Sequence, residues 1–270
     1  MNRRDFVAGT VGASLVPVLG QAAANGQTPE PTVPAGKPQV LELRRVHVKQ
    51  GQMVTRYHEY AKNALVPALN RAGVKPVGAF SVAVGPDSPT VYLLLPHSSA
   101  DSMLTLTSRL NDDAEYQKAA TAFRALPASD PPYLRRESSL MTPFAGSPTL
   151  DLPSGPNAVP SRVFELRTYK SHNDRAGAKK IEMFEKGEFP IFRRAGLNWV
   201  FFGKDVVSSG LPSLTYLLVF DDMPARDKNW ATFVADPEWK KLSTTPGYTN
   251  PEILTNITNV FLRPTAYSQI

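Results

Sequence analysis

The chain predicts an α+β fold of two ferredoxin-like β-α-β-β-α-β repeats that close into one intramolecular α+β barrel. Three observations predict it: an internal repeat at one constant spacing, the same order of strand and helix signals in both copies, and strands with two unlike faces.

The repeat comes first. Glu42-Leu43-Arg44 recurs as Glu165-Leu166-Arg167, and Pro67 recurs as Pro190. Arg71-Ala72-Gly73 recurs as Arg194-Ala195-Gly196. The run from Asp113 to Lys118 recurs, with changes, from Asp236 to Lys241. All these matches lie 123 positions apart and in the same order, as a tandem duplication requires.

Each copy then reads alike. Residues 40–48 and 163–169 alternate and are rich in β-branched or aromatic side chains, which predicts a first strand. Residues 52–72 and 175–195 are helical, and Gly73 and Gly196 follow as left-handed C-terminal caps. Pro67 and Pro190 lie late in these helices, where each must kink the helix or begin a new turn. Strands follow at 77–84 and 90–95, and at 199–207 and 213–220, around turns marked by Gly85-Pro86-Asp87 and Gly210-Leu211-Pro212. A second helical stretch covers 102–123 and 225–242, the latter broken near Pro237. Last strands are expected at 133–141 and 253–262.

Outside the repeats the chain carries punctuation. Residues 1–24 combine Arg3-Arg4, an apolar Gly-containing run and the small-residue exit Ala22-Ala23-Ala24, the pattern of a cleavable twin-arginine signal. The expected location is therefore periplasmic or secreted. The apolar run is interrupted by Pro17 and is short of the roughly 20 residues that span a bilayer, so no stable membrane anchor is expected after cleavage. Residues 25–38 read as a tether rich in Pro, Gly, Thr and Gln. The repeats are placed at 39–143 and 162–264, with a Pro/Gly/Ser linker at 144–161.

Composition narrows the chemistry. With no cysteine, thiolate nucleophiles, iron–sulfur clusters and zinc–thiolate sites are excluded. The net charge of +6 is thinly spread, so nucleic acid is not an expected partner. No phosphate loop, dinucleotide fingerprint or Gly-x-Ser-x-Gly elbow occurs. His47, His58, His97 and His172 show no metal spacing, and none is duplicated. No metal and no cofactor are expected.

Strand alternation supplies the candidate site. Leu41 and Leu43 share one face with each other, as do Phe164 and Leu166; Glu42 and Arg44, and Glu165, Arg167 and Tyr169, share the opposite faces. If the apolar faces pack under the helices, the Glu/Arg faces meet in a partly polar barrel lumen. Glu42, Arg44, Glu165 and Arg167 are then the floor of a ligand pocket, with Tyr169, Trp199 and Phe201 as its walls. Arg167, Glu165 and Tyr169 are the catalytic candidates, and an ion network that fixes the register of the halves is the structural alternative. Because ferredoxin-like units expose sheet edges, a homo-oligomer is one way to cover them.

Phe164-Glu165-Leu166-Arg167-Thr168-Tyr169, the helix ending Phe189-Pro190 and Ala195-Gly196, and the cluster from Trp230 to Trp239 resemble the NIPSNAP family of the dimeric α+β barrel superfamily. The resemblance spans both halves and is stronger in the second, because the first has Thr107 and Tyr116 where the second has Trp230 and Trp239. It implies the barrel fold, and it brings no agreed catalytic residues. Related barrels include cofactor-independent monooxygenases and haem enzymes. Three roles therefore stand side by side: binding of a small hydrophobic or aromatic molecule in the barrel, a cofactor-independent monooxygenase or isomerase, and a structural or interaction module.

Overall fold

The computed structural model describes residues 39–155 and 159–270, so the signal and tether lie outside the described residues. The first half runs β1 (Val40–His47), α1 (Gln52–Tyr60), a π-helical turn (Ala61–Leu65), α2 (Val66–Arg71), β2 (Gly78–Val84) and β3 (Thr90–His97). It continues with α3 (Ala100–Leu104), α4 (Leu106–Asp112), α5 (Ala114–Arg124) and β4 (Arg135–Pro143). The second half repeats this as β5 (Val163–Lys170), α6 (Asp174–Met183), a π-helical turn (Phe184–Glu188), α7 (Phe189–Arg194), β6 (Asn198–Val207) and β7 (Ser213–Phe220). It ends with α8 (Met223–Ala235), α9 (Pro237–Ser243), α10 (Asn250–Ile253) and β8 (Asn256–Pro264). Among the described residues no helix is long and apolar enough to cross a membrane.

The duplication persists at the level of local chemistry. Both π turns sit just before the paired prolines, at equivalent positions, so that the widened turn accommodates a proline ring that has no N–H to donate within a continuous helix. Gly73 and Gly196 take φ of 78° and 75°, the left-handed caps the sequence predicts. Asp113 and Asp236 cap α5 and α9 and also receive Arg71 and Arg194, at 2.8 and 2.7 Å from the guanidinium Nε. The repeated motifs are thus partners of one another: the helix-end arginine of each copy holds that copy's second helical layer. The four-residue helix α10 has no counterpart in the reading of the sequence.

All eight strands form one closed antiparallel ring in the order β1-β3-β2-β8-β5-β7-β6-β4. Two seams join the halves. Val82 faces Leu262 where β2 meets β8, and Met141 faces Asp205 where β4 meets β6, with a register shift in each seam. Gly203 lies in the second seam, where a Cβ would approach the Met141 side chain to 2.9 Å. Among the described residues the ring has no unpaired edge strand.

The faces are the reverse of the expectation. Leu41, Leu43, Phe164 and Leu166 form one buried cluster with Phe80, Leu94, Leu217 and Leu262, drawn from strands of both halves. That cluster fills the lumen. Glu42, Arg44, Glu165, Arg167 and Tyr169 stand on the outer face, under the helices. An eight-stranded ring has an interior just wide enough for side chains. Enclosed on all sides, it takes the apolar face, because ionic groups there would lose water without gaining partners. The outer face is where helices can bring compensating donors. Phe201 also parts from the other two wall candidates, because a bulge between Trp199 and Phe201 turns it into the lumen while Trp199 and Tyr169 stay outside.

Candidate functional site

The two Glu/Arg sets occupy equivalent positions and are satisfied differently. In the second half, Glu165 is fully buried and accepts bonds from Arg167 Nη1 (2.5 Å), Arg226 Nε (2.9 Å) and Trp230 Nε1 (2.9 Å). Burial pushes the Glu165 carboxyl up, but these donors outweigh it and hold it below its ordinary range. Arg167 gives its other terminal nitrogen to the Tyr169 hydroxyl (3.1 Å), which also receives Tyr216 (2.8 Å). The Trp230 ring covers the guanidinium at 4.6 Å. Below it, Lys180 and Glu188 make a buried ion pair among Phe184, Tyr169 and Trp239. Tyr169 and Trp199 are packed into the same aromatic cluster, with Trp199 against Phe189 and bonded to Ser147. This half is closed.

In the first half, Glu42 accepts from Arg44 Nε (2.9 Å) and Nη2 (3.2 Å), His97 Nε2 (3.0 Å) and Ser138 Oγ (2.6 Å). All of these come from strands. Burial again acts to raise the carboxyl, and the His97, Arg44 and Ser138 bonds overcome it, holding Glu42 at about 2. A carboxyl lowered from 4.5 to about 2 contributes about 3 kcal/mol of stability, fully present above its unfolded range and lost as pH falls towards 2. Acid titration of the unfolding free energy is therefore expected to show this loss in the wild type and to lack it in Glu42→Gln.

Because the strands satisfy Glu42 unaided, the helices above are not needed to do so. Position 103 is Met where the second half has Arg226, and Thr107 stands where it has Trp230. In place of the tryptophan a cavity of about 300 Å³ opens over Arg44. Its walls include Tyr57, Tyr60, Phe123 and Tyr133, with Arg124 and Arg136 at the side. Tyr60 and Phe123 stack at 3.9 Å with rings 4° from parallel, and the Tyr60 and Tyr116 hydroxyls are 2.7 Å apart. Arg44 spends Nε and Nη2 on Glu42, which leaves Nη1 for the cavity. Burial raises the phenols of Tyr57 and Tyr60 far above their ordinary value, so they remain neutral donors. The lining contains three arginines and no acidic residue.

Of the residues singled out in the sequence, the structure brings Glu42 to Arg44, and Glu165 to Arg167 and Tyr169, but it gathers neither set with the other. The wall residues Tyr57, Tyr60 and Phe123 were missed. The signal for them was the exchange of Trp230 for Thr107, which removes a large ring from one of two equivalent positions. Among the described residues no group of three or more His, Asp or Glu is placed to hold a metal ion.

No curated protein sequence matches the chain. Among solved structures, a protein from Lactobacillus acidophilus described provisionally as a monooxygenase aligns over 84% of this chain and 94% of its own, with TM-score 0.55 and 9% identity. Another from Fusobacterium nucleatum, likewise provisionally a monooxygenase, aligns over 84% and 92%, with TM-score 0.54 and 9% identity. At such identity the likeness is one of fold: an α+β barrel built from ferredoxin-like repeats. An uncharacterised NIPSNAP-like domain protein from Burkholderia xenovorans aligns over 42% of this chain and 92% of its own, at 20% identity and TM-score 0.37. The family model described as NIPSNAP matches residues 164–269, from the first strand of the second half to the C-terminal tail, so the likeness to that family lies in the second half of this chain.

Proposed function

We propose that the chain binds a small aromatic anion, a carboxylate or phenolate, in the first-half cavity between sheet and helices, with Arg44 as its anchor. The observation that carries this reading is a lining of three arginines and several neutral phenols without one acidic side chain. Such a site offers donors and positive charge only, so its complement is an acceptor-rich anion with a flat apolar body. The expected test is calorimetric titration with benzoate, salicylate and cinnamate. Arg44→Met should weaken binding about ten- to hundred-fold, the worth of a charged hydrogen bond. Thr107→Trp should fill the space as Trp230 does and abolish binding while leaving the melting temperature unchanged or higher. Equal affinities in all three proteins would dispose of the proposal.

Oxygenation of the bound molecule is a second reading, favoured by two neighbours that align over 84% of the chain and are provisionally called monooxygenases. The cavity itself speaks for binding, because its phenols are held protonated and no free carboxylate lines it to act as a base. Oxygen uptake that depends on a bound probe, and vanishes in Arg44→Met, would favour the second reading.

The site of action is proposed to be outside the cytoplasm. Its support is the Arg3-Arg4 pattern and the apolar run behind it. Cell fractionation should find the wild type exported and a variant with both arginines changed to lysine retained.

A further inference from the structure

The lumen is filled by the apolar cluster, yet at one end of the ring a cavity of about 440 Å³ enters it. At that end β1, β2, β5 and β6 finish and β3, β4, β7 and β8 begin. The floor is the top of the lumen cluster, with Leu43, Leu166 and Val260. Four charged residues line the cavity, Arg45, Asp87, Lys170 and Asp205, and the last two carry the argument.

Asp205, on β6 at the seam with β4, is only 5% exposed. Its Oδ2 accepts from Ser213 Oγ (2.7 Å) and Thr215 Oγ1 (3.1 Å), and its Oδ1 has no hydrogen-bond partner among the described residues. Burial pushes this carboxyl up against the pull of those two hydroxyls and of Lys170. Lys170, the last residue of β5, has no ion-pair partner among the described residues. Its ammonium lies over the β6–β7 turn, where a Cβ at Gly210 would come within 2.8 Å of Nζ. The other cation of the cavity, Arg45, is already taken by Glu137 at 2.6 Å. An oxygen without a donor and an ammonium without an ion pair, both among the described residues, thus face one space over an apolar floor, with Asp87 at its rim.

We infer that this barrel mouth is a second binding site, distinct from the cavity over Arg44, for a small aliphatic carboxylate that carries a hydroxyl or amine. The carboxylate meets Lys170, the hydroxyl or amine donates to Asp205 Oδ1, and the aliphatic body rests on Leu43, Leu166 and Val260. An acceptor that the protein leaves without a donor favours a ligand that brings one over a ligand that does not, which is the basis of discrimination here. The ligands lack a ring, so they do not suit the aromatic walls over Arg44.

The test compares isocaproate, hydroxyisocaproate and leucine by NMR titration of the full chain. In the wild type, hydroxyisocaproate or leucine should bind about ten-fold tighter than isocaproate, and whichever leads identifies a hydroxyl or an amine as the donor. Lys170→Met should weaken all of them about ten-fold, and Asp205→Ala should erase the preference among them. Thr107→Trp should change none of these affinities, which separates this site from the first. The wild-type series alone decides the matter if Asp205→Ala fails to fold. No binding in the millimolar range, no preference for the donor-bearing ligands, or indifference to Lys170→Met would each overturn the inference.

Discussion

Replacing Lys180 by methionine is expected to lower the unfolding free energy by about 3–5 kcal/mol, the cost of stranding one charge of a buried pair. Lys180 and Glu188 are 1% and 2% exposed, and aromatic rings and the Met183 sulfur close the space around the ammonium. Burial already raises the Glu188 carboxyl, with Lys180 as the chief opposing influence. Without Lys180 the group is pushed higher still and is more costly to keep ionised. The loss should therefore be largest at neutral and alkaline pH and shrink as acid protonates Glu188. The first half indicates the rescue, since its equivalents are Tyr57 and Leu65. A Lys180→Met/Glu188→Leu double variant should recover most of the stability, as apolar replacements of buried pairs often do. Denaturant unfolding of the single and double variants at two pH values checks both statements, and a single variant as stable as wild type would refute the first.

Glu165→Ala carries the second large effect, again about 3–5 kcal/mol. One carboxylate at the centre of the second half neutralises Arg167 and Arg226 and accepts from the Trp230 indole. Its removal leaves Arg167 sealed between Trp230 and Tyr169, where its Nε already lacks a hydrogen-bond partner. Glu165→Gln keeps the shape and two acceptor directions, so its cost should be smaller. Glu42→Ala should also cost less than Glu165→Ala, because Arg44 opens onto the cavity and water can reach it. Thermal and denaturant unfolding of the three variants orders them, and equal losses would contradict the closed–open contrast of the two halves.

Much of the architecture could be read from the residues. The spacing of 123 positions announced the duplication, and every main strand and helix of one copy supported its twin in the other. The choice of strand face failed, for a physical reason. Both faces of β1 and β5 are buried, so alternation separated two faces without saying which was inner. The rule that helices take the apolar face overlooked what the helices carry: Arg226 and Trp230 lie one turn apart on α8, facing the sheet. A cation and an indole donor on the buried side of a helix are a request for a carboxylate beneath. The bulge that separates Trp199 from Phe201 left no comparable mark, and neither did the short helix α10.

The seams carry one more consequence. Each half supplies the border that the other lacks, since β8 completes β2 and β6 completes β4. Cut between them, either copy would have two raw strands and a bare oily face at once, and the remedy would be a second molecule of itself. Joining the copies in one polypeptide makes that encounter independent of concentration. It also frees the two copies to drift apart in detail, so that one can stay sealed as a buttress while its sibling opens a space.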